Sequence, residues 1–397
     1  MKLFFGNYEF EHQLGPTAPR VLSAQIRRLN AEMAYCLVPL AQPEDCVWAP
    51  EPPDLAYSQH LDEIGLPGVR FVSRTEEIVR GTALVPWGWC KSVEDWAAQC
   101  GCVCDAPHLA TVAQLNSREF SSELEAEWNV SLPGARAIRT MQELDSALAE
   151  GAKLPHGWVI KANFGMSARE RILVRRSPLR PQEIQWARHR LDRNEPLFFE
   201  PWVECLAEFG CQFSVPASGR PLLEDITGLL TDALGTYRGS RLFGEAESRP
   251  SNLLPPGVLE VVEGAVQRVQ QQGYVGPVGI DVMQYRTSDG EIGWRPLQDI
   301  NARLTMGRVA LGLRRLLGPG ERADWLHTRR MPGSATAAER IPLDSGDLSG
   351  ARRVRTSPLE VGGRPSSHQS ALVIARSTER LDAVFSTMRG VHERGPG

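Results

Sequence analysis

No stretch of this chain supplies the roughly 20 uncharged apolar residues that a membrane-crossing helix needs. The opening Met1-Lys2-Leu3-Phe4-Phe5-Gly6 is too short an apolar run for a secretory signal. Both points favour a cytoplasmic protein without a membrane partner. An excess of basic charge is also lacking. Lys and Arg number 44 against 48 Asp and Glu, for a formal net charge of −4, which argues against a nucleic-acid partner. The eight histidines show no metal-ligand spacing and form no evident triad with Ser or Cys. No G-x-G-x-x-G follows the first strand-like segment, so a dinucleotide site has little support. Eight cysteines in 397 residues are too sparse for a disulfide framework and fit reduced thiols. Cys100-Gly101-Cys102-Val103-Cys104, near His108, lacks the two-residue spacing of zinc knuckles. It reads as a small-residue strand with its thiols on one face. There are no internal repeats.

What is present is ordinary for a soluble enzyme of two or three domains: 42% hydrophobic and 23% charged residues. Residues 1–105 read as an α/β unit with a parallel sheet, because short apolar strands alternate with helical spacing. Residues 106–205 form a second unit. Helices are expected over 111–120 and 121–128. Thr140 with Glu143 marks a capped helix, Trp158–Asn163 and Arg171–Arg175 read as paired strands, and Pro181 opens another helix. Residues 206–397 form a third unit with strands, a helix over 258–272, and a Ser/Gly/Pro-rich stretch near 333–350.

The chemistry concentrates in Gly279-Ile280-Asp281 and Asp299-Ile300-Asn301-Ala302-Arg303, two strand-like segments separated by a Ser288-Asp289-Gly290 turn. Two carboxylates and an amide on neighbouring strands can hold a hard divalent cation, which prefers oxygen ligands and often bridges nucleotide phosphates. Arg303 lies two residues past Asn301, on the same face if the strand continues. Register tests the idea. A two-residue Asp289-Gly290 turn would put Asp281 and Asp299 on opposite faces. A shared metal therefore requires an odd-length loop or a bulge.

Further motifs precede these in order. Arg118 is followed by Lys161 in Val159-Ile160-Lys161-Ala162-Asn163, then by the small-residue loop Gly165-Met166-Ser167-Ala168. Glu200-Pro201-Trp202-Val203-Glu204 and Glu208 follow an apolar strand. This order resembles the ATP-grasp superfamily of carboxylate–amine ligases over residues 110–320. The resemblance implies an α/β (α+β) fold with an N-terminal α/β domain before the ATP-grasp core, residues 106–205 as its lid and residues 206–397 as its metal-bearing part.

By that resemblance ATP would be bound with Mg²⁺, or Mn²⁺ in its place. Arg118, Lys161, Gly165 and Ser167 would meet the phosphates. Glu200 and Val203 would read adenine, through a carboxylate or carbonyl and a backbone N–H, and Glu208 the ribose, with Glu204 as competitor. Asp281, Asp299 and Asn301 would ligate metal, and Arg303 and Lys161 would serve catalysis. The implied reaction joins a small-molecule carboxylate, such as an amino acid or peptide, to an amine through an acyl phosphate, releasing ADP and phosphate. The alternatives are an ATP-grasp phosphotransferase and a non-catalytic nucleotide-binding module. The family also suggests a homodimer. Arg238, in the substrate-loop-like stretch Thr231–Gly239, reads as a surface arginine. Trp87 reads as core packing or an interdomain contact.

Overall fold

The computed structural model describes residues 1–15, 21–165, 170–175, 179–245, 247–329 and 350–392. The N-terminal strands β1 (Lys2–Phe5), β2 (Cys46–Trp48), β3 (Arg70–Val72) and β4 (Ala83–Pro86) form a parallel sheet in the order β3-β2-β1-β4. The helical spacing expected from residue 19 to 37 becomes a helix at Ala24–Met33, capped by Ser23, and then a 3₁₀ helix at Ala34–Leu40. Cys100 ends the helix Lys91–Cys100 instead of starting a strand, and among the described residues the three neighbouring thiols do not converge with other metal-ligating groups.

The central strands β5 (Arg136–Ile138), β6 (Trp158–Ala162), β7 (Arg171–Val174) and β8 (Leu197–Pro201) form an antiparallel sheet in the order β5-β8-β6-β7. Thr140 and Glu143 form a reciprocal capping box on the helix Met141–Gly151, and Pro181 opens the helix Pro181–Leu191. These helices and the sheet close their own core around Ile138, Leu144, Trp158, Ile160 and Phe199.

The largest sheet contains β9 (Glu204–Val215), β10 (Leu222–Thr231), β11 (Tyr237–Leu242), β12 (Gly276–Arg286), β13 (Ile292–Asn301), β14 (Arg322–Arg329) and β15 (Ala351–Arg355). After the small ribbon β16 (Glu360–Val361) and β17 (Arg364–Pro365), β18 (His368–Ala375) completes it in the order β13-β12-β9-β10-β11-β14-β18-β15. Its core is continuous with that of the N-terminal sheet, running from Leu3 and Val47 through Ile280 and Val309 to Ile374. Glycine makes one of these contacts possible. A Cβ on Gly312 would lie 2.3 Å from the Pro39 carbonyl oxygen, where the helix Met306–Gly312 meets the N-terminal 3₁₀ helix. Gly312→Ala is expected to lower stability by about 1–3 kcal/mol, as overpacking does. A urea unfolding midpoint equal to that of wild type would refute the tight contact.

Candidate functional site

The segment around Arg118 folds as two helices, Leu109–Leu115 and Arg118–Glu127. The break falls at Asn116-Ser117, earlier than the sequence spacing suggests, because the Ser117 hydroxyl caps the Phe120 N–H at 3.2 Å. Arg118 thus opens a helix. Its backbone N–H donates to the Asn163 carbonyl (3.1 Å), and Glu119 N–H donates to the Asn163 side chain (3.0 Å). These bonds fix Arg118 beside the end of the Lys161 strand.

Lys161 stands opposite Phe198 in the β6–β8 ladder, so Glu200 is its diagonal neighbour on the same face. The Lys161 Nζ donates to Glu200 Oε2 at 2.6 Å. Arg295, from β13, donates to the same carboxylate at 2.9 Å and forks onto Glu125 at 2.5 and 2.9 Å. Burial pushes the Glu200 carboxyl up, but the Arg295 and Lys161 charges outweigh it and hold the group well below the usual range. Burial also lowers Lys161, opposed by Glu200. The Glu200 side chain is therefore committed to ion pairs. Of the two adenine-reading groups expected at this position, the carboxylate is spent and the backbone carbonyl lies in the β6–β8 ladder opposite Val159, with one lone pair to spare. Arg295 and Glu125 had no sequence signal, since their pairing spans 170 residues.

The metal-type strands meet as a hairpin. Thr287 N–H donates to the Glu291 carbonyl at 2.9 Å, closing a three-residue loop in which Gly290 takes φ +88°. That loop sets Arg286 opposite Ile292 and Met283 opposite Arg295. An irregularity between Asp281 and Met283 then advances β13, so that Asp281 faces Asp299 and Gly279 faces Asn301. The odd-length loop and the bulge are both present, and both carboxylates lie on one face. Burial and the Asp299 charge push the Asp281 carboxyl up to about 8. Asn301 Nδ2 lies 3.4 Å from Asp281 Oδ2. Two carboxylates and an amide oxygen brought together on one face form a donor set that suits a hard cation.

A cavity of ≈ 540 Å³ joins these groups. Its wall includes Arg118, Lys161, Gly165, Arg171, Glu208, Asp281, Asp299, Asn301 and Arg303. Glu208 receives Thr231 Oγ1 (2.6 Å) and Gln298 Nε2 (2.8 Å), whereas Glu204 is exposed and paired with Arg286 outside the wall. Between the two, Glu208 is the one at the cavity. Val203 packs against Leu132, Met283 and Tyr285 instead of lining this space. Glu200 borders a neighbouring cavity of ≈ 280 Å³ that shares Arg118 and Gln298 with the first. Ser167 lies outside the described residues.

Arg303 is less free than its position past the strand implies. It pairs with Glu11 at 2.5 Å, donates to Asn301 Oδ1 at 2.8 Å, and lies over the Trp87 ring at 5.4 Å. Trp87 is buried and serves both sequence readings at once, because its carbonyl also accepts the Leu304 N–H at 3.0 Å. Glu11 carried no signal in the sequence. Arg238 lines the cavity on its Asp232 partner (2.8 Å), where a surface position was expected. Arg171 also reaches the cavity, held by the Leu234 carbonyl and the Trp202 ring.

Among the described residues, no helix is long and apolar enough to cross a membrane. No family model and no curated protein matches the sequence. Solved structures do match the fold. N5-carboxyaminoimidazole ribonucleotide synthetase from Thermus thermophilus superposes with a TM-score of 0.54 at 12% identity over 100% of both chains. N5-carboxyaminoimidazole synthetase from Staphylococcus aureus, complexed with ADP, gives 0.54 at 8% identity over 98% of this chain and 96% of that one. An ADP complex of another N5-carboxyaminoimidazole ribonucleotide synthetase gives 0.52 at 11% identity, over 99% and 97%. At such identities the likeness is one of architecture, and it extends over all the sheets described above: the chain has the ATP-grasp fold, with an α/β unit at its N-terminus.

Proposed function

We propose that this chain is an ATP- and Mg²⁺-dependent ligase that joins a carboxylate to an amine and releases ADP and phosphate. The observation that carries the reading is the pairing of Asp281 with Asp299 across β12–β13, in the same cavity wall as Arg118, Lys161 and Arg171. The wall carries carboxylates and cations side by side, with Arg118 3.8 Å from the Asp299 carboxylate. A nucleotide polyphosphate with its divalent ion satisfies both, and the structures of similar fold include ADP complexes.

In this reading Asp281, Asp299 and Asn301 hold Mg²⁺, which supplies neutralisation of phosphate charge. The Asn301 amide oxygen already accepts from Arg303, and its second lone pair remains for an ion. Lys161 and Arg118 orient the phosphates, and Glu208 accepts from the ribose hydroxyls. The Glu200 carbonyl and the Val203 N–H are the backbone groups offered to adenine. The Glu200 side chain keeps Lys161 in place. The substrate carboxylate attacks the γ-phosphoryl group, ADP leaves, and an acyl phosphate forms. The amine then attacks the acyl carbon, phosphate departs and the amine proton is lost. Catalysis of the first step is positioning and charge neutralisation. Arg303 acts on substrate after exchanging Glu11 for the incoming anion.

The test is release of ADP and phosphate from Mg²⁺-ATP in the presence of pooled amino acids, peptides and small carboxylates. Phosphate appearing only with a carboxylate–amine pair establishes the ligase. Phosphate found on a stable acceptor instead establishes a phosphotransferase, and failure to bind ATP overturns the nucleotide reading. Lys161→Ala is expected to weaken ATP binding by roughly 10- to 100-fold, the worth of one or two charged hydrogen bonds. Titration calorimetry checks this, and unchanged affinity would remove Lys161 from the phosphate site.

A further inference from the structure

Three residues unused by this chemistry converge in the core. Cys36, His327 and His368 each present one ligand atom within 4.8 Å of the others. Among the described residues they are the only set of three or more His, Cys, Asp or Glu side chains so arranged. Cys36 comes from the 3₁₀ helix Ala34–Leu40 of the N-terminal unit, and the histidines come from the adjacent strands β14 and β18. In the β14–β18 register His327 faces Ser370, so His368, two residues away, shares its face. All three are buried, at 2%, 7% and 6% exposure.

The chemistry of the set is that of a borderline-soft cation. Sulfur and imidazole nitrogen are zinc's preferred donors, and three protein ligands with a fourth position open is a recurrent zinc arrangement. His327 Nδ1 and His368 Nε2 are 3.1 Å apart. That is close to the roughly 3.3 Å edge of a tetrahedron with metal–nitrogen bonds of about 2.0–2.1 Å.

We propose that Cys36, His327 and His368 bind one zinc ion. On binding, the Cys36 S–H bond breaks, the proton leaves to solvent, and a sulfur–zinc bond forms, while each imidazole contributes a lone pair and no electron is transferred. His327 and His368 also line the ≈ 540 Å³ cavity, which is the route of entry and the side from which a fourth ligand comes. The resulting charge of +1 favours an anionic oxygen or a thiol at that position. The site shares no residue with the Asp281–Asp299 pair, so it stands or falls apart from the ligase reading.

Cobalt titration of the reduced, metal-stripped full chain tests it. A thiolate-to-cobalt absorption band in the near ultraviolet should saturate at one equivalent and disappear on adding zinc, but not on adding Mg²⁺. Cobalt held only by oxygen ligands gives no such band. Cys36→Ser should abolish it, and His327→Gln should weaken cobalt binding at least about tenfold. Absence of the band in wild type, or a band unchanged in Cys36→Ser, overturns the site. A second reading needs no variant: X-ray absorption of the zinc-loaded wild type should show one sulfur and two ring nitrogens around the ion. A shell of oxygens, or of several sulfurs drawn from Cys102, Cys104 or Cys205, would leave only a buried histidine pair.

Discussion

Asp281→Asn is expected to lower Mg²⁺-dependent ATP turnover by about 10³-fold or more, and at the same time to raise the melting temperature of the metal-free protein near pH 8. The first effect follows from losing one of two carboxylates on a cation asked to supply several kcal/mol of charge stabilisation. The second follows from the empty state of the same pair. Asp281 faces Asp299 across the hairpin, and burial together with that charge holds its carboxyl at about 8, against roughly 4 in an unfolded chain. Between those values the folded chain binds a proton that the unfolded chain has lost. Without metal, wild-type stability therefore falls as pH rises from about 4 through about 8. Asparagine has no such proton, and its curve should be flat where that of Asp281 declines. Saturating Mg²⁺ should restore wild type and leave the variant unmoved. Thermal melts at pH 6 and pH 8, with and without Mg²⁺, read the stability half, and phosphate release reads the other. Full turnover in Asp281→Asn would remove it from the site, and a lower melting point would show that the pair is not mutually repulsive.

Arg295→Met is expected to destabilise the fold by about 3–5 kcal/mol, the usual cost of leaving buried charges without their partner. Arg295 sits at 5% exposure between Glu125 and Glu200 and makes four hydrogen bonds to them. Its removal leaves two buried carboxylates and only Lys161 to answer them. The pH dependence has a definite sign. In wild type the Glu200 carboxyl is held below its unfolded value, so its stabilisation is present above about pH 4 and is lost as pH falls through the lower folded value. In the variant both carboxylates titrate upward, and protonation relieves them. The deficit relative to wild type should therefore be largest at pH 7–8 and shrink toward pH 5. Urea unfolding at these pH values measures it. Arg295→Met combined with Glu125→Gln should recover part of the loss, because the second change removes one orphaned charge. A deficit independent of pH would mean that lost packing, not charge, dominates.

Part of this architecture is written locally and can be read without a structure. Thr140 with Glu143, and Pro181, start their helices because capping depends on residues within one turn. The period of two in Gly279–Met283 and the odd loop around Gly290 are local too, which is why Asp281 and Asp299 could be placed on one face if the loop had odd length. The sequence alone thus determined the capped helices, the metal-type hairpin, the Lys161 strand and the resemblance to ATP-grasp proteins, but not the strands Tyr237–Leu242, Arg322–Arg329 and Ala351–Arg355.

What only the tertiary structure decided are the partners across long separations. Glu200 is spent on Lys161 and Arg295, Arg303 is restrained by Glu11, and Arg238 turns inward to the cavity. The bulge that brings Asp299 opposite Asp281 also belongs here. Cys36, His327 and His368 meet only because the N-terminal and large sheets share one core. The physical reason is the same in each case. A cap or a strand period is selected by energies among neighbours in the chain, whereas a buried charge or a metal-type cluster is selected by which distant surfaces exclude water together. No spacing in a single sequence encodes that choice.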